Sequence, residues 1–321
     1  MELRELTADV YACVQEDRGL GWSNSGLVNR GGGLVIDTFF DLSLTRRLID
    51  TYATVAPSPA RRLLNTHHNG DHCWGNQLFT AAEIIGHRLC AERMGTDSSP
   101  EVLQVVKDQL DSGDSSGLPP HITALAGAFA EFDFAGIELT PPTTLIDDRL
   151  DLDLDGTRVE LIYVGPAHTA GDVVAHLPEE GVLFTGDICF RNCTPIGWEG
   201  TFGTWMAALD GLTALGPDVV VPGHGPICGV DGLVEMRDYL GHVRSESAIH
   251  HREGRPVVEA CKRIDLGPYG RWNEPWRLPF NVHRAYRELD GVAWDEPIDA
   301  LAIYRDVFDF REHWNRGRTV T

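Results

Sequence analysis

The pattern of the chain predicts an α/β protein, two sheets packed in layers with helices, followed by a helical C-terminal extension. Two successive β-rich halves each lead into a helical stretch, polar residues gather where strands end, and spacing beyond residue 229 is purely helical. No repeat of 20 to 50 residues interrupts that plan.

In chain order, Val10 to Val14, Leu27-Val28 and Leu34 to Ile36 read as a β-meander broken by turn residues, among them Asn29-Arg30-Gly31-Gly32-Gly33. The glycine triplet opens a strand rather than a helix, so it is a turn and not a phosphate cradle. The stretch Gly21 to Gly26 misses the spacing of a hydrolase nucleophile elbow. Leu44, Leu48, Tyr52 and Val55 fall at helical spacing, and Arg62-Leu63-Leu64 makes a short strand, as does Glu83 to Ile85. Residues 95 to 120 then turn polar and rich in Gly, Ser and Pro around a helix expected at 100 to 110, capped near Ser99; this reads as a mobile flap.

The clearest hairpin runs from Arg149 to Tyr163 about an Asp155-Gly156 turn. Strands at Val173 to Leu177 and Val182 to Thr185 follow, then a helix at 203 to 214, then Val219 to Val221 running into Pro222-Gly223-His224-Gly225. Beyond, Val230, Leu233, Leu240 and Val243 share one helical face, and Val282, Ala285, Tyr286 and Leu289 another. The expected division is a layered domain over 1–230 and a helical extension over 231–321, serving as a lid or a homodimer surface. His250 and His251 close a polar helix and are expected in solvent.

Composition narrows the function. The 321 residues are 42% apolar, enough for a sizeable core, and the net charge of −21 repels phosphate backbones, which excludes nucleic acid as partner. The acidic start has no seven-residue apolar run, and no stretch nears the eighteen apolar residues of a membrane span, so no membrane partner is expected and a cytoplasmic location is the default. Seven cysteines lie scattered without a CxxC pair, which excludes a disulfide framework or zinc knuckle. A small-molecule substrate remains.

The chemistry gathers in four places, each after an expected strand: His67, Asp71 and His72 in NTHHNGDHCWGN, then His168, then Asp187, then His224. Imidazole and carboxylate are ligands that zinc and iron accept, and ligands brought from separate loops at sheet ends are what a catalytic metal site needs. His68 and Cys73 flank these residues but are expected to point away, and Cys189 and Cys193 to pack in the core.

In order, Asp37, THHNGDH, GPAHTAGD at 165–172, FTGD at 184–187 and PGHG at 222–225 resemble the metallo-β-lactamase superfamily over about residues 8 to 230. The resemblance implies an αββα four-layer sandwich. It also implies a first metal pocket of His67 and His168 with Asn69 where the family has its second histidine, a second pocket of Asp71, His72 and His224, and Asp187 bridging. An amide oxygen binds a divalent ion less well than imidazole, so the expectation is one Zn²⁺ in the second pocket, or two with unequal occupancy. His67, His168 and Asp187 alone also form the two-histidine, one-carboxylate set that holds Fe²⁺, and persulfide dioxygenases of the family use the corresponding three.

Three functions stay open at this stage. The first is a metal-dependent hydrolase or cyclase acting on an ester, thioester, amide or polyketide-like carbonyl, with Asp71 orienting water or carrying its proton. The cyclase variant rests on VELIYVGPAHTAGDVVAHLPEEGVLFTGDI, the Thr194-Pro195 pair and NVHRAY at 281–286, which are similar to the bacterial actinorhodin-type aromatic polyketide cyclases. The second is a mononuclear iron oxidoreductase, and the third a non-enzymatic metal-binding member of the fold. Trp74, Trp198, Phe202, Trp205 and His283 are the expected walls of an apolar substrate pocket.

Overall fold

The computed structural model describes residues 1–96, 99–113 and 117–318. Among them, one sheet has seven strands in sequential order: β1 (Glu2–Thr7), β2 (Val10–Val14), β3 (Ser25–Val28), β4 (Leu34–Ile36), β5 (Arg62–Leu64), β6 (Glu83–His87) and β7 (Thr144–Ile146). The first four pair antiparallel and the last four parallel. The second sheet orders β12 (Val219–His224), β11 (Val182–Phe190), β10 (Val173–Leu177), β9 (Thr157–Tyr163) and β8 (Arg149–Leu154), with only β11 and β12 parallel. The expected hairpin is β8–β9: Leu154 faces Thr157, and Asp155 and Gly156 both take the positive φ that a two-residue turn requires.

Apolar faces of the two sheets meet in one cluster that includes Val28, Ile36, Leu64, Leu161, Val173 and Phe184. Outside the first sheet, α1 (Leu42–Ala53) packs with Leu44, Leu48 and Tyr52 inward, started by Asp41, whose side chain accepts from Leu44 N. Outside the second lie α6 (Phe202–Ala214) and α7 (Val230–Arg252). The layers are therefore αββα. One-turn α2 (Gly70–Cys73) and α3 (Arg88–Arg93) follow β5 and β6; α4 (Pro100–Asp111) and α5 (Pro120–Ala128) precede β7. After α7 come α8 (Val257–Cys261), α9 (Leu278–Leu289) and α10 (Ala300–Arg318). No helix among the described residues is long and apolar enough to cross a membrane.

Several expectations change. β1 is an edge strand of mostly polar residues, none of them buried, and β7 has three residues; neither announces itself by pattern. The stretch read as a flap contains the expected helix, α4, with Ser99 as its cap, and α5 begins at its end; residues 97–98 and 114–116 of that stretch lie outside the described residues. His250 is buried against Glu253, and His251 pairs with Asp290 at 2.7 Å and meets the Tyr286 ring, so this pair is not simply solvated.

The C-terminal helices share a hydrophobic cluster with the second sheet: Leu278, Val282 and Phe310 pack with Phe190, Trp205 and Leu240. Buried Asn281 on α9 pins this layer, its amide donating to Pro195 O and to the Tyr239 hydroxyl, both at 2.9 Å. Asn281→Ala leaves two buried acceptors without that donor and is expected to cost about 1–3 kcal/mol of stability. Urea unfolding measures it; an unchanged midpoint would mean that α9 is held by packing alone.

Candidate metal centre

The residues converge where the two sheets end together. His67 lies in the loop after β5, Asp71 and His72 on α2, and His168 in the loop between β9 and β10. Asp187 and His224 are not on loops as the sequence suggested: Asp187 sits inside β11, and His224 is the last residue of β12. The register of these two strands slips around Gly186, which swings Asp187 toward the cluster. Gly223 makes room for it, since a Cβ there would stand 1.9 Å from Asp187 Oδ1.

Ligand atoms of His67, His168 and Asp187 lie within 4.8 Å of one another, and so do those of Asp71, His72 and His224. Asp187 stands between the groups, with Oδ1 3.1 Å from His72 Nε2 and Oδ2 3.3 Å from His224 Nε2 and 3.4 Å from His168 Nε2. Asp71 Oδ2 is 3.3 Å from His224 Nε2. His68 and Cys73 belong to neither group; Cys73 Sγ lies against the carbonyls of His68 and Asn69.

Each imidazole is oriented through its other nitrogen. The carbonyls of Ile196 and Trp22 can only accept, so His168 Nδ1 and His224 Nδ1 donate to them at 2.8 and 3.0 Å. The hydroxyl of Thr66 gives its proton to Asp37, so it accepts from His67 Nδ1 at 3.0 Å, while His72 Nδ1 meets Asp37 Oδ2 at 2.9 Å. All four Nε2 atoms therefore face inward, an arrangement that metal-binding histidines need. His67 Nε2 is buried without a hydrogen-bond partner, a costly state in apolar surroundings that coordination of a cation removes. The donor set fits a divalent ion.

Asn69 Oδ1 lies 2.8 Å from His168 Nε2. Because that nitrogen carries a lone pair, two acceptors adjoin, which is the relation of neighbouring ligands around a cation; turned over, the amide would donate N–H to the same lone pair. In both orientations the Asn69 amide stays beside His168 Nε2.

The charges are those of a cation site. Burial raises the cost of ionising Asp187, but His224 and His72 outweigh it and hold its pKa well below the usual carboxylate range. Burial likewise opposes a charge on His224, yet Asp187 and Asp71 push its pKa up to about 10, and His72 is raised in the same way. His67 and His168 go the other way, lowered first by burial, and stay neutral.

A cavity of about 110 Å³ opens over the cluster. Its floor holds Asn69, Asp71, His168, Asp187 and His224, and its walls include Phe40, Phe129, Ile196, Trp198, Phe280 and Tyr304. Arg277 also lines it, paired with Glu274 and donating to Thr194 O at 3.1 Å. Of the five expected wall residues, only Trp198 lines this cavity. Trp74 is buried behind α2, stacked on Phe40 at 4.9 Å; Phe202 and Trp205 are core residues of α6, Trp205 backing the His168 ring at 5.6 Å; His283 pairs with Asp306 between α9 and α10. Closeness in sequence misled here, because a side chain two places along a helix turns by about 200°. A wall from the helical extension was expected, but Phe280 on α9 and Tyr304 on α10 went unforeseen because such residues carry only the ordinary helical repeat.

An αββα sandwich with paired histidine and aspartate groups at the sheet ends defines the class, and comparison with known proteins agrees. The chain belongs to the metallo-beta-lactamase superfamily, whose family model matches residues 18–224. It is 35% identical over 245 residues to the metallo-beta-lactamase type 2 of Bacteroides fragilis, covering 73% of this chain and 83% of that one. It is also 23% identical over 297 residues to a linear primary-alkylsulfatase of Pseudomonas sp., covering 84% of this chain but 56% of the relative. Among solved structures, the stereoselective inverting sec-alkylsulfatase of Pseudomonas sp. superposes with a TM-score of 0.66 at 18% identity, over 92% of this chain and 51% of that one. The chain thus spans about half the length of the alkylsulfatases it matches.

An ion entering this site must displace the protons on His72 and His224, so its apparent affinity rises with pH through the neutral range, roughly tenfold per unit for each proton released. Chelator competition at about pH 6 and about pH 8 checks the sign, and a flat profile would contradict it.

Proposed function

We propose that the protein is a metal-dependent hydrolase of a small-molecule ester, thioester or amide, with zinc as its ion. The convergence of four oriented imidazoles on Asp187 carries the reading, and the relatives named as a beta-lactamase and an alkylsulfatase support hydrolysis. Asp71, His72 and His224 would hold the ion, with Asp187 adjoining. His67 and His168 form the weaker pocket, where Asn69 stands.

A divalent ion held there supplies Lewis acidity and makes water acidic enough to react at neutral pH. Asp71 faces the cavity at its floor with 15% of its side chain exposed, and it orients the attacking water and accepts its proton. Asp187 and the histidine cluster fix where negative charge can gather. The walls of Phe40, Phe129, Trp198 and Phe280 keep bulk water from the scissile bond and strengthen every charge interaction inside. Hydrolysis is preferred to cyclisation because the relatives are named as a beta-lactamase and an alkylsulfatase; Asp71 is a base that either reaction can use.

The deciding experiment is chelation of the purified protein, assayed on p-nitrophenyl acetate. Activity is expected to fall to background, to return on adding zinc alone, and to be the same with and without oxygen. Elemental analysis is expected to find about one zinc per chain. Activity that survives chelation overturns the proposal. Iron in the protein together with oxygen uptake would instead favour the His67, His168 and Asp187 set acting as an iron centre.

A further inference from the structure

A second cavity, of about 250 Å³, lies between α4, α5 and α10. Val102, Val106, Leu125, Ala126 and Leu301 line it, and the lining residues with polar side-chain atoms are Ser99, Lys107 and Tyr304. The Lys107 amine is turned away to Ala130 O at 2.9 Å and to Asp111, so the interior is mainly apolar. Phe40, Phe129 and Tyr304 line both this cavity and the one over the histidine cluster. The two spaces therefore adjoin through three aromatic side chains. At the outer rim Val102 and Leu301 are 60% and 63% exposed.

An apolar space that adjoins the reaction site and opens outward is shaped for one part of a substrate rather than for a whole one. We propose that it is the subsite for an unbranched aliphatic chain, attached to a scissile ester that lies at the His/Asp cluster. The head-group half of this statement rests on the hydrolase reading; the chain half rests on the cavity. At about 30 Å³ per methylene, close to the volume share of a water molecule, the space takes on the order of eight methylenes. Each one moved from water into apolar walls is worth about fourfold in affinity.

The test uses the zinc-loaded full chain with p-nitrophenyl acetate, hexanoate and decanoate, and separately the binding of a fluorescent probe bearing a dodecyl chain. kcat/KM is expected to climb by about fourfold per methylene until the cavity is full. Ala126→Phe and Val106→Phe, on facing helices, fill the space from opposite sides. Both are expected to lose about tenfold or more on decanoate and on the probe while acetate stays within about twofold. If Ala126→Phe fails to fold, Val106→Phe, at a partly buried position on α4, decides alone.

Should no ester be cleaved, the hydrolase reading falls while the subsite is still judged by the probe: binding to the wild type, weakened in the variants, supports it. Kinetics independent of chain length together with no probe binding would overturn it. So would variants that change the oligomeric state and leave the chain dependence intact, which would assign this face to a second copy of the chain.

Discussion

A single buried carboxylate organises the site. Asp37 follows β4 in a left-handed conformation, φ 60°, and is 2% exposed, a position that would be costly without donors around it. It accepts from Thr66 N and Thr66 Oγ1, both at 2.7 Å, and meets His72 Nδ1 at 2.9 Å. Through Thr66 it also settles which nitrogen of His67 faces inward. Two imidazoles, one from the loop after β5 and one from α2, are thus referred to one fixed anion at the end of β4. The rest of the cluster is built against this reference.

The two sheets are tied together at the same end. Asn24, on the loop before β3, donates through its amide to the carbonyls of Pro222 and Gly225, and its backbone N–H donates to Gly223 O. Trp22, two residues earlier, receives His224 Nδ1, and the His224 ring stacks on Phe190 at 5.2 Å. His224 is therefore held from both sheets at once. Asp187 fits between them only because Gly223 has no side chain. The site is a property of the junction, which explains why its ligands are widely separated in sequence and nearly all buried.

Much of this was legible in the sequence. The Asp155-Gly156 turn and the Ser99 cap follow from local turn and capping chemistry, which acts within a few residues. The histidines and aspartates stood out because polar clusters after apolar runs have no packing role to hide among. The partners that orient them did not: the carbonyls of Trp22 and Ile196 belong to any residue type, so no side chain marks them. Nor could Trp74 and Trp198 be told apart, since both are large aromatics near a motif and only the direction of the backbone sends one to the core and the other to the cavity.

The short run Pro195-Ile196 joins two things that look unrelated. Ile196 O holds the His168 ring, and Pro195 O, one residue earlier, is held by Asn281 on α9; Arg277 grips Thr194 O beside it, and Arg284 holds Glu199 O further on. The C-terminal helices thus act as a splint on the segment that aims one ligand. A rearrangement of those helices would reach His168 directly along this segment, while His72 is anchored on Asp37. Such a linkage makes the two halves of the centre mechanically unequal, independently of any difference in their chemistry.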